Sequence, residues 1–272
     1  MHIFKTLTVC FLLISALSIA QKKEITLEEI WGGNFSAKRL DALHSMKNGK
    51  QYAVLNFENR NSQIDIYDYE TLEKVETLVS SADLPAISYF TDYTFSASED
   101  KILLATDVEA IYRRSSLGSY YVYDRETKEV TLISNDKLQE PTFSPDGSKI
   151  AFGKENNLYI HDLKTGKEIQ ITTDGEFNRI INGITDWVYE EEFSFVRAFE
   201  WNSTGDKIAF IRFDETEVPE FSMDVYGKGL YPSQQVFKYP KAGEKNSKVS
   251  LHIYDLESAK ISEVKPNKNY ED

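Results

Sequence analysis

Pro145-Asp146-Gly147-Ser148-Lys149-Ile150-Ala151-Phe152 runs from a polar turn, through a lysine, into a short apolar strand. The same passage occurs three more times. Lys47-Asn48-Gly49-Lys50 leads into Tyr52-Ala53-Val54-Leu55, Ser98-Glu99-Asp100-Lys101 into Ile102-Leu103-Leu104-Ala105, and Ser203-Thr204-Gly205-Asp206-Lys207 into Ile208-Ala209-Phe210. The lysines at 50, 101, 149 and 207 are spaced by 51, 48 and 58 residues. A second element falls between them: Ile66-Tyr67-Asp68-Tyr69-Glu70-Thr71, Val122-Tyr123-Asp124-Arg125-Glu126-Thr127, Ile160-His161-Asp162-Leu163-Lys164-Thr165 and Ile253-Tyr254-Asp255-Leu256-Glu257-Ser258. A strand that ends at Asp and turns through Thr or Ser is a hairpin whose turn is held by side-chain hydrogen bonds.

Repeats of roughly 40 to 55 residues with about four strands each are the signature of β-propeller blades. One blade cannot bury both of its faces, so its neighbours must cover them. The fold class read from the sequence is therefore all-β, a β-propeller with about four blades present. Blades this aromatic and bulky point to a ring larger than four, of which this chain is a part.

Composition agrees. Of 272 residues, 41% are hydrophobic and 28% charged, the balance of a globular chain. Sixteen Tyr and sixteen Phe favour strands. A net charge of −13, with no basic stripe interleaved with aromatics, argues against a nucleic-acid partner. Residues 1–20 read as a signal peptide. Lys5 supplies the positive start, 7–19 form an apolar run too short to span a bilayer comfortably, and Ser18-Ile19-Ala20 supplies small residues for cleavage. Export across the inner membrane, to the periplasm, is the expected destination. Cys10 is the single cysteine and would leave with the signal, so the mature chain 21–272 would hold together by packing without disulfides. Thr26, with Glu29 three residues later, reads as the start of a short helix.

Three segments interrupt the repeat. Residues 106–119 insert Ile111-Tyr112-Arg113-Arg114 between two blade strands. Residues 182–195 replace a plain hairpin with Asn182-Gly183-Ile184-Thr185-Asp186-Trp187-Val188-Tyr189-Glu190-Glu191-Glu192-Phe193. Residues 213–243 form a long irregular stretch, expected to be a contact surface or projecting arm. Insertions at a propeller rim are where sites are built. Three adjacent glutamates repel one another and are either a solvated helix face or a cation site. Adjacent helical positions point about 100° apart, so two of them meet one ligand only at a helix end or in a bent segment. A converged carboxylate pair binds an ammonium through charge-assisted hydrogen bonds, and a nearby arginine such as Arg113 would relieve the repulsion.

Catalytic signals are missing. No Gly-x-Ser-x-Gly elbow and no phosphate loop is present, and His2, His44, His161 and His252 lack metal-ligand spacing. No catalytic residue, metal or cofactor is assigned.

Residues 182–192, Phe213-Asp214-Glu215-Thr216-Glu217-Val218-Pro219 and Tyr239-Pro240-Lys241-Ala242-Gly243 together closely resemble the N-terminal propeller of dipeptidyl peptidase IV, of the prolyl oligopeptidase-type serine peptidases. The resemblance runs across most of 21–272 and is strongest over about 180–253. It implies an eight-bladed propeller on an α/β-hydrolase domain that carries the catalytic triad and lies outside this chain. It implies release of Xaa-Pro or Xaa-Ala dipeptides from substrates with a free N-terminus. Glu191 and Glu192 match the glutamates that hold the substrate amino group. An arginine eleven residues before a Tyr-Asp strand end falls on Arg113, with Tyr112 where the family has Trp and Arg114 as a second choice. Release of tripeptides stays open. The stretch 223–243 resembles the arm through which family members dimerise, so a homodimer is expected. The other reading left open is a non-catalytic envelope propeller that binds a protein or peptide.

Overall fold

The structure, a computed structural model, describes residues 24–37 and 42–265. The segment read as a signal peptide, with Cys10, lies outside the described residues. The chain divides into two units after Asp41. In the first, α1 (Leu27–Trp31) opens on a capping box, in which the Thr26 hydroxyl accepts from the Glu29 amide and the Glu29 carboxylate accepts from the Thr26 amide.

The second unit consists of four consecutive antiparallel sheets. The first holds β1 (Leu43–Ser45), β2 (Gln51–Glu58), β3 (Asn61–Asp68) and β4 (Lys74–Ser80). The second holds β5 (Asp92–Phe95), β6 (Lys101–Ala110), β7 (Ser116–Asp124) and β8 (Val130–Leu132). The third holds β9 (Gln139–Phe143), β10 (Lys149–Lys154), β11 (Asn157–Asp162) and β12 (Lys167–Gln170). The fourth begins with β13 (Ile180–Asn182), β14 (Phe199–Trp201) and β15 (Lys207–Asp214). The chain then leaves it as a hairpin of β16 (Glu220–Val225) and β17 (Ser233–Lys238), and returns as β18 (Lys248–Asp255) and β19 (Lys260–Val264). These sheets are four propeller blades. Asp68, Asp124, Asp162 and Asp255 end the third main strand of each, and each carboxylate accepts the amide of the residue three further on.

Side-chain alternation along the blade strands builds the core. Ile102 and Leu104 of β6 pack with Ala53, Ile64 and Ile66 of blade one, while Leu103 between them packs with Ile150 and Phe152 of blade three. In β10, Ala151 points the other way, into a cluster with Phe199, Ile208 and Phe210 of blade four. Blades two and three are thus apolar on both faces, each packed between two neighbours. Fully burying one such side chain is worth about 1.5–3 kcal/mol.

Two expectations change. Residues 106–110 and 116–119 are strand rather than insertion. A register shift between Thr106 and Glu109 lets β6 and β7 extend outward, and only 111–115 leave the ladder. The stretch 213–243 is not irregular either: β16 and β17 pair in continuous register from Glu220–Lys238 to Val225–Ser233. Among the described residues no helix is long and apolar enough to cross a membrane.

Candidate functional site

The excursion in blade four grows out of a split strand. β13 and β14 both pair with the same edge of β15, Asn182 opposite Arg212 and Phe199 opposite Phe210. Residues 183–198 are extruded at that point. Their neck is closed by Gly183 N to Ile211 O at 2.9 Å, Ala198 N to Gly183 O at 2.9 Å and Thr185 N to Val196 O at 3.0 Å. Gly183 sits at φ +75°, a conformation that costs little only for glycine. On the neck stands α2 (Trp187–Phe193).

Asp186 caps α2, its Oδ1 accepting from Tyr189 N at 2.9 Å and its Oδ2 from the Ser247 hydroxyl. Burial nonetheless holds the Asp186 carboxyl above its ordinary range. Tyr189 seats the helix, with ring centroids 5.0 Å from both Phe213 and Phe193. Ser194 ends it in the left-handed region at φ 62°. Glu190 lies in the first turn, whereas Glu191 and Glu192 stand in the last, which carries no basic residue, at the negative end of the helix dipole, where anions are disfavoured. A local rule broken this way marks a functional place in a chain otherwise consistent with its fold.

The three glutamates have three environments. Glu190 is 1% exposed, and its Oε1 accepts from Arg114 N at 2.7 Å and Ser115 N at 2.9 Å. It fixes the 111–115 loop of blade two to the helix of blade four. Glu191 is half-buried, with Oε2 3.1 Å from Arg113 Nε. Glu192 is exposed, beyond both. Arg114 turns away, its Nη2 donating to Ser194 Oγ at 3.0 Å. Of the two arginines, Arg113 is the one whose side chain meets a glutamate.

The anchoring role of Glu190 is not visible in the sequence, where it is one of three identical letters. Asp186 had a signal: a short carboxylate directly before the aromatic start of a helix. Beneath the helix, Trp187 lies 4.5 Å from Tyr239, and Tyr112 lies 5.8 Å from Phe237, which joins loop, helix and arm base in one aromatic cluster. No group of three or more potential ligands among the described residues converges to hold a metal ion.

The class these features define is a β-propeller region that brings together an arginine loop of its second blade and an acidic helix of its fourth. Residues 96–272 match the family model for the dipeptidyl peptidase IV N-terminal region, and the chain belongs to that family. It is 32% identical over 239 residues to the mouse (Mus musculus) prolyl endopeptidase FAP, across 86% of this chain and 30% of that protein. It is 38% identical over 172 residues to a probable dipeptidyl-aminopeptidase B of Chaetomium globosum, across 57% of this chain and 18% of that protein. The crystal structure of Porphyromonas gingivalis dipeptidyl peptidase 4 superposes with a TM-score of 0.83 at 39% identity, covering 90% of this chain and 35% of that one. The chain therefore spans about a third or less of the relatives it matches.

Proposed function

We propose that this chain is the substrate-selecting propeller part of an exported serine-type dipeptidyl peptidase that releases N-terminal Xaa-Pro or Xaa-Ala dipeptides. Glu191 and Glu192 receive the α-ammonium of the substrate, and Arg113, steadied by Glu191, offers its remaining donors to a substrate carbonyl. The observation that carries this reading is the 3.1 Å contact between Arg113 and Glu191, on a loop that the buried Glu190 holds in place. The relatives are peptidases by name and about three times longer, which supports a catalytic α/β-hydrolase domain beyond the matched part. Residues 1–20 direct the protein to the periplasm. The arm hairpin, whose Tyr226, Leu230 and Tyr231 are almost fully exposed, is its dimer contact.

The test is hydrolysis of Gly-Pro-p-nitroanilide by the full-length protein. The free-amine substrate is cleaved and its N-acetyl form is not. Glu191→Ala and Glu192→Ala each lower kcat/KM by about 30-fold or more, the 2 kcal/mol or above that losing one partner of a desolvated charge pair costs. Near-normal turnover in both variants overturns the reading. Absence of any peptidase activity favours a propeller that only binds a peptide or protein.

A further inference from the structure

Beside α2 is a cavity of about 420 Å³, whose lining includes Tyr112, Asp186, Trp187, Glu190, Glu215 and Lys238. That volume falls in the range of small-molecule sites. Glu215 is the unusual member. It follows β15, and its backbone is fixed by Glu215 N to Arg179 O at 2.9 Å and Val218 N to Glu215 O at 3.0 Å. It is 5% exposed, yet no hydrogen bond or ion pair from a described residue reaches its carboxylate. A buried charged group is expected to have a partner, and an unpartnered one calls for an explanation.

No cation of the wall forms a hydrogen bond or ion pair with Glu215, and Lys238 acts on it only through its charge. Lys238 Nζ donates to Val218 O at 2.8 Å and lies 3.7 Å from Glu220 Oε1. Lys154 is held 2.6 Å from Glu168 and 3.3 Å from Asp136, and Lys137 is 2.6 Å from Glu109. Both oxygens of Asp186 are used, by Tyr189 N and by Ser247. Glu190 spends Oε1 on the loop amides, and Oε2 has no hydrogen bond within the described residues. Two carboxylates thus offer acceptors into one cavity whose lining includes the rings of Tyr112, Phe177 and Trp187. The Tyr112 phenol, pushed up to about 12 by burial and by the Glu215, Glu190 and Asp186 charges, stays un-ionised there.

We infer that this cavity is a second cation site, separate from the Glu191–Arg113 pair, which takes one guanidinium-type cation between Glu215 and Glu190 Oε2 against the faces of Trp187 and Tyr112. A guanidinium fits better than a metal ion, since no set of three ligands converges. It also fits better than a primary ammonium, because its planar fork is weakly hydrated, stacks on aromatic rings and binds carboxylates at two points. The cation has two sources, a free small molecule or the arginine side chain of a peptide.

The test is calorimetric titration of the full-length protein with ethylguanidinium chloride and, separately, with N-acetyl-Gly-Arg-Gly-amide. Neither probe carries an α-ammonium. Saturable binding of ethylguanidinium is expected, weakened tenfold or more in Glu215→Gln and unchanged in Glu192→Ala. Binding of the peptide as well assigns the site to an arginine side chain, and binding of ethylguanidinium alone assigns it to a free cation. A readout that needs no variant is pH. Glu215 is the group that titrates near neutrality, faced by Asp186 and Glu190 from α2, Tyr112 from the loop and Lys238 from β17, so binding is about tenfold weaker at pH 6 than at pH 8. The inference is overturned if wild type shows no saturable binding. It is equally overturned if binding is lost in Glu192→Ala and kept in Glu215→Gln, which would put the probe at the proposed α-ammonium site. Peptidase activity is not the readout, so this inference and the preceding one fail independently.

Discussion

Arg113 Nε lies 3.1 Å from Glu191 Oε2, joining the loop of blade two to the helix of blade four through one exposed and one half-buried side chain. An ion pair with so much solvent around its arginine contributes little to stability, about 0–1 kcal/mol. Its value is positional, holding one carboxylate of an adjacent pair that would otherwise repel its neighbour at the negative end of a helix.

From this relationship comes the first prediction. Arg113→Ala leaves the unfolding midpoint nearly unchanged but lowers kcat/KM for Gly-Pro-p-nitroanilide by about tenfold or more, the 1.4 kcal/mol scale of one charge-assisted contact. Arg114→Ala has a smaller effect, since the Arg114 contribution to the Glu190 anchor is its backbone amide, which alanine keeps. Steady-state kinetics on the two variants check this. A larger loss in Arg114→Ala would mean that the second arginine serves the substrate.

Glu190 should behave in the opposite way from its neighbours. Glu190→Ala strips the acceptor from the Arg114 and Ser115 amides, the second of which is buried. Leaving buried donors unsatisfied costs about 2–3 kcal/mol here, whereas Glu190→Gln keeps a carbonyl acceptor and costs about 1 kcal/mol or less. Urea unfolding of the two variants measures the difference. Equal midpoints would show that the loop is held by something other than this carboxylate.

Much of this architecture was legible because the blade repeat is a packing requirement repeated four times. Lys50, Lys101, Lys149 and Lys207 mark the entry to the same strand of each blade. Asp68, Asp124, Asp162 and Asp255 mark the exit, each doing the same hydrogen-bonding job. The site was legible only in part. Glu190, Glu191 and Glu192 are chemically identical, and what separates them is where the 111–115 loop lands, a contact between residues 75 and 76 positions apart. Glu215 sits in a stretch that reads as irregular, and its burial, shared with Phe213 and Val218, comes from tertiary packing that no local pattern shows. The arm itself is expected at 213–243; what goes unread is its regular pairing, because the alternation of Phe221, Met223 and Val225 with polar neighbours spans only six residues.

Gly183 is the hinge of the extrusion, and the third prediction concerns it. Its φ of +75° disfavours a side chain, and a Cβ there would lie 3.1 Å from Leu158 Cδ1 and 3.4 Å from Phe199 Cδ1. Gly183→Ala should therefore cost about 1–3 kcal/mol, combining the left-handed penalty with crowding. Because the neck orients α2, kcat/KM should fall further than the stability loss alone explains. Thermal unfolding and steady-state kinetics on the variant test both statements, and wild-type values in both would contradict them.

The last prediction is a pH dependence that belongs to Glu215. Burial raises its carboxyl from 4.5 to about 7, the Asp186 charge pushes in the same direction, and Lys238 opposes them. Between those two pH values the native state holds a proton that the unfolded chain has released. Native stability is therefore lost as pH rises through the window, by about 3 kcal/mol in full. The same residue would bind the guanidinium cation, so the measurement is made without one. Burial lowers His161 below 6.5, which acts the other way, removing stability as pH falls, so the net curve of wild type alone is not diagnostic. The difference from Glu215→Gln isolates the residue. At pH 5 the wild-type carboxyl is protonated and the two proteins unfold at nearly the same denaturant concentration. At pH 8 the glutamine variant is the more stable by about 2–3 kcal/mol, since an amide does not carry the buried charge. Parallel urea titrations at pH 5, 6, 7 and 8 give the answer, and a gap between the two proteins that stays constant across that range would show that Glu215 does not titrate in the fold.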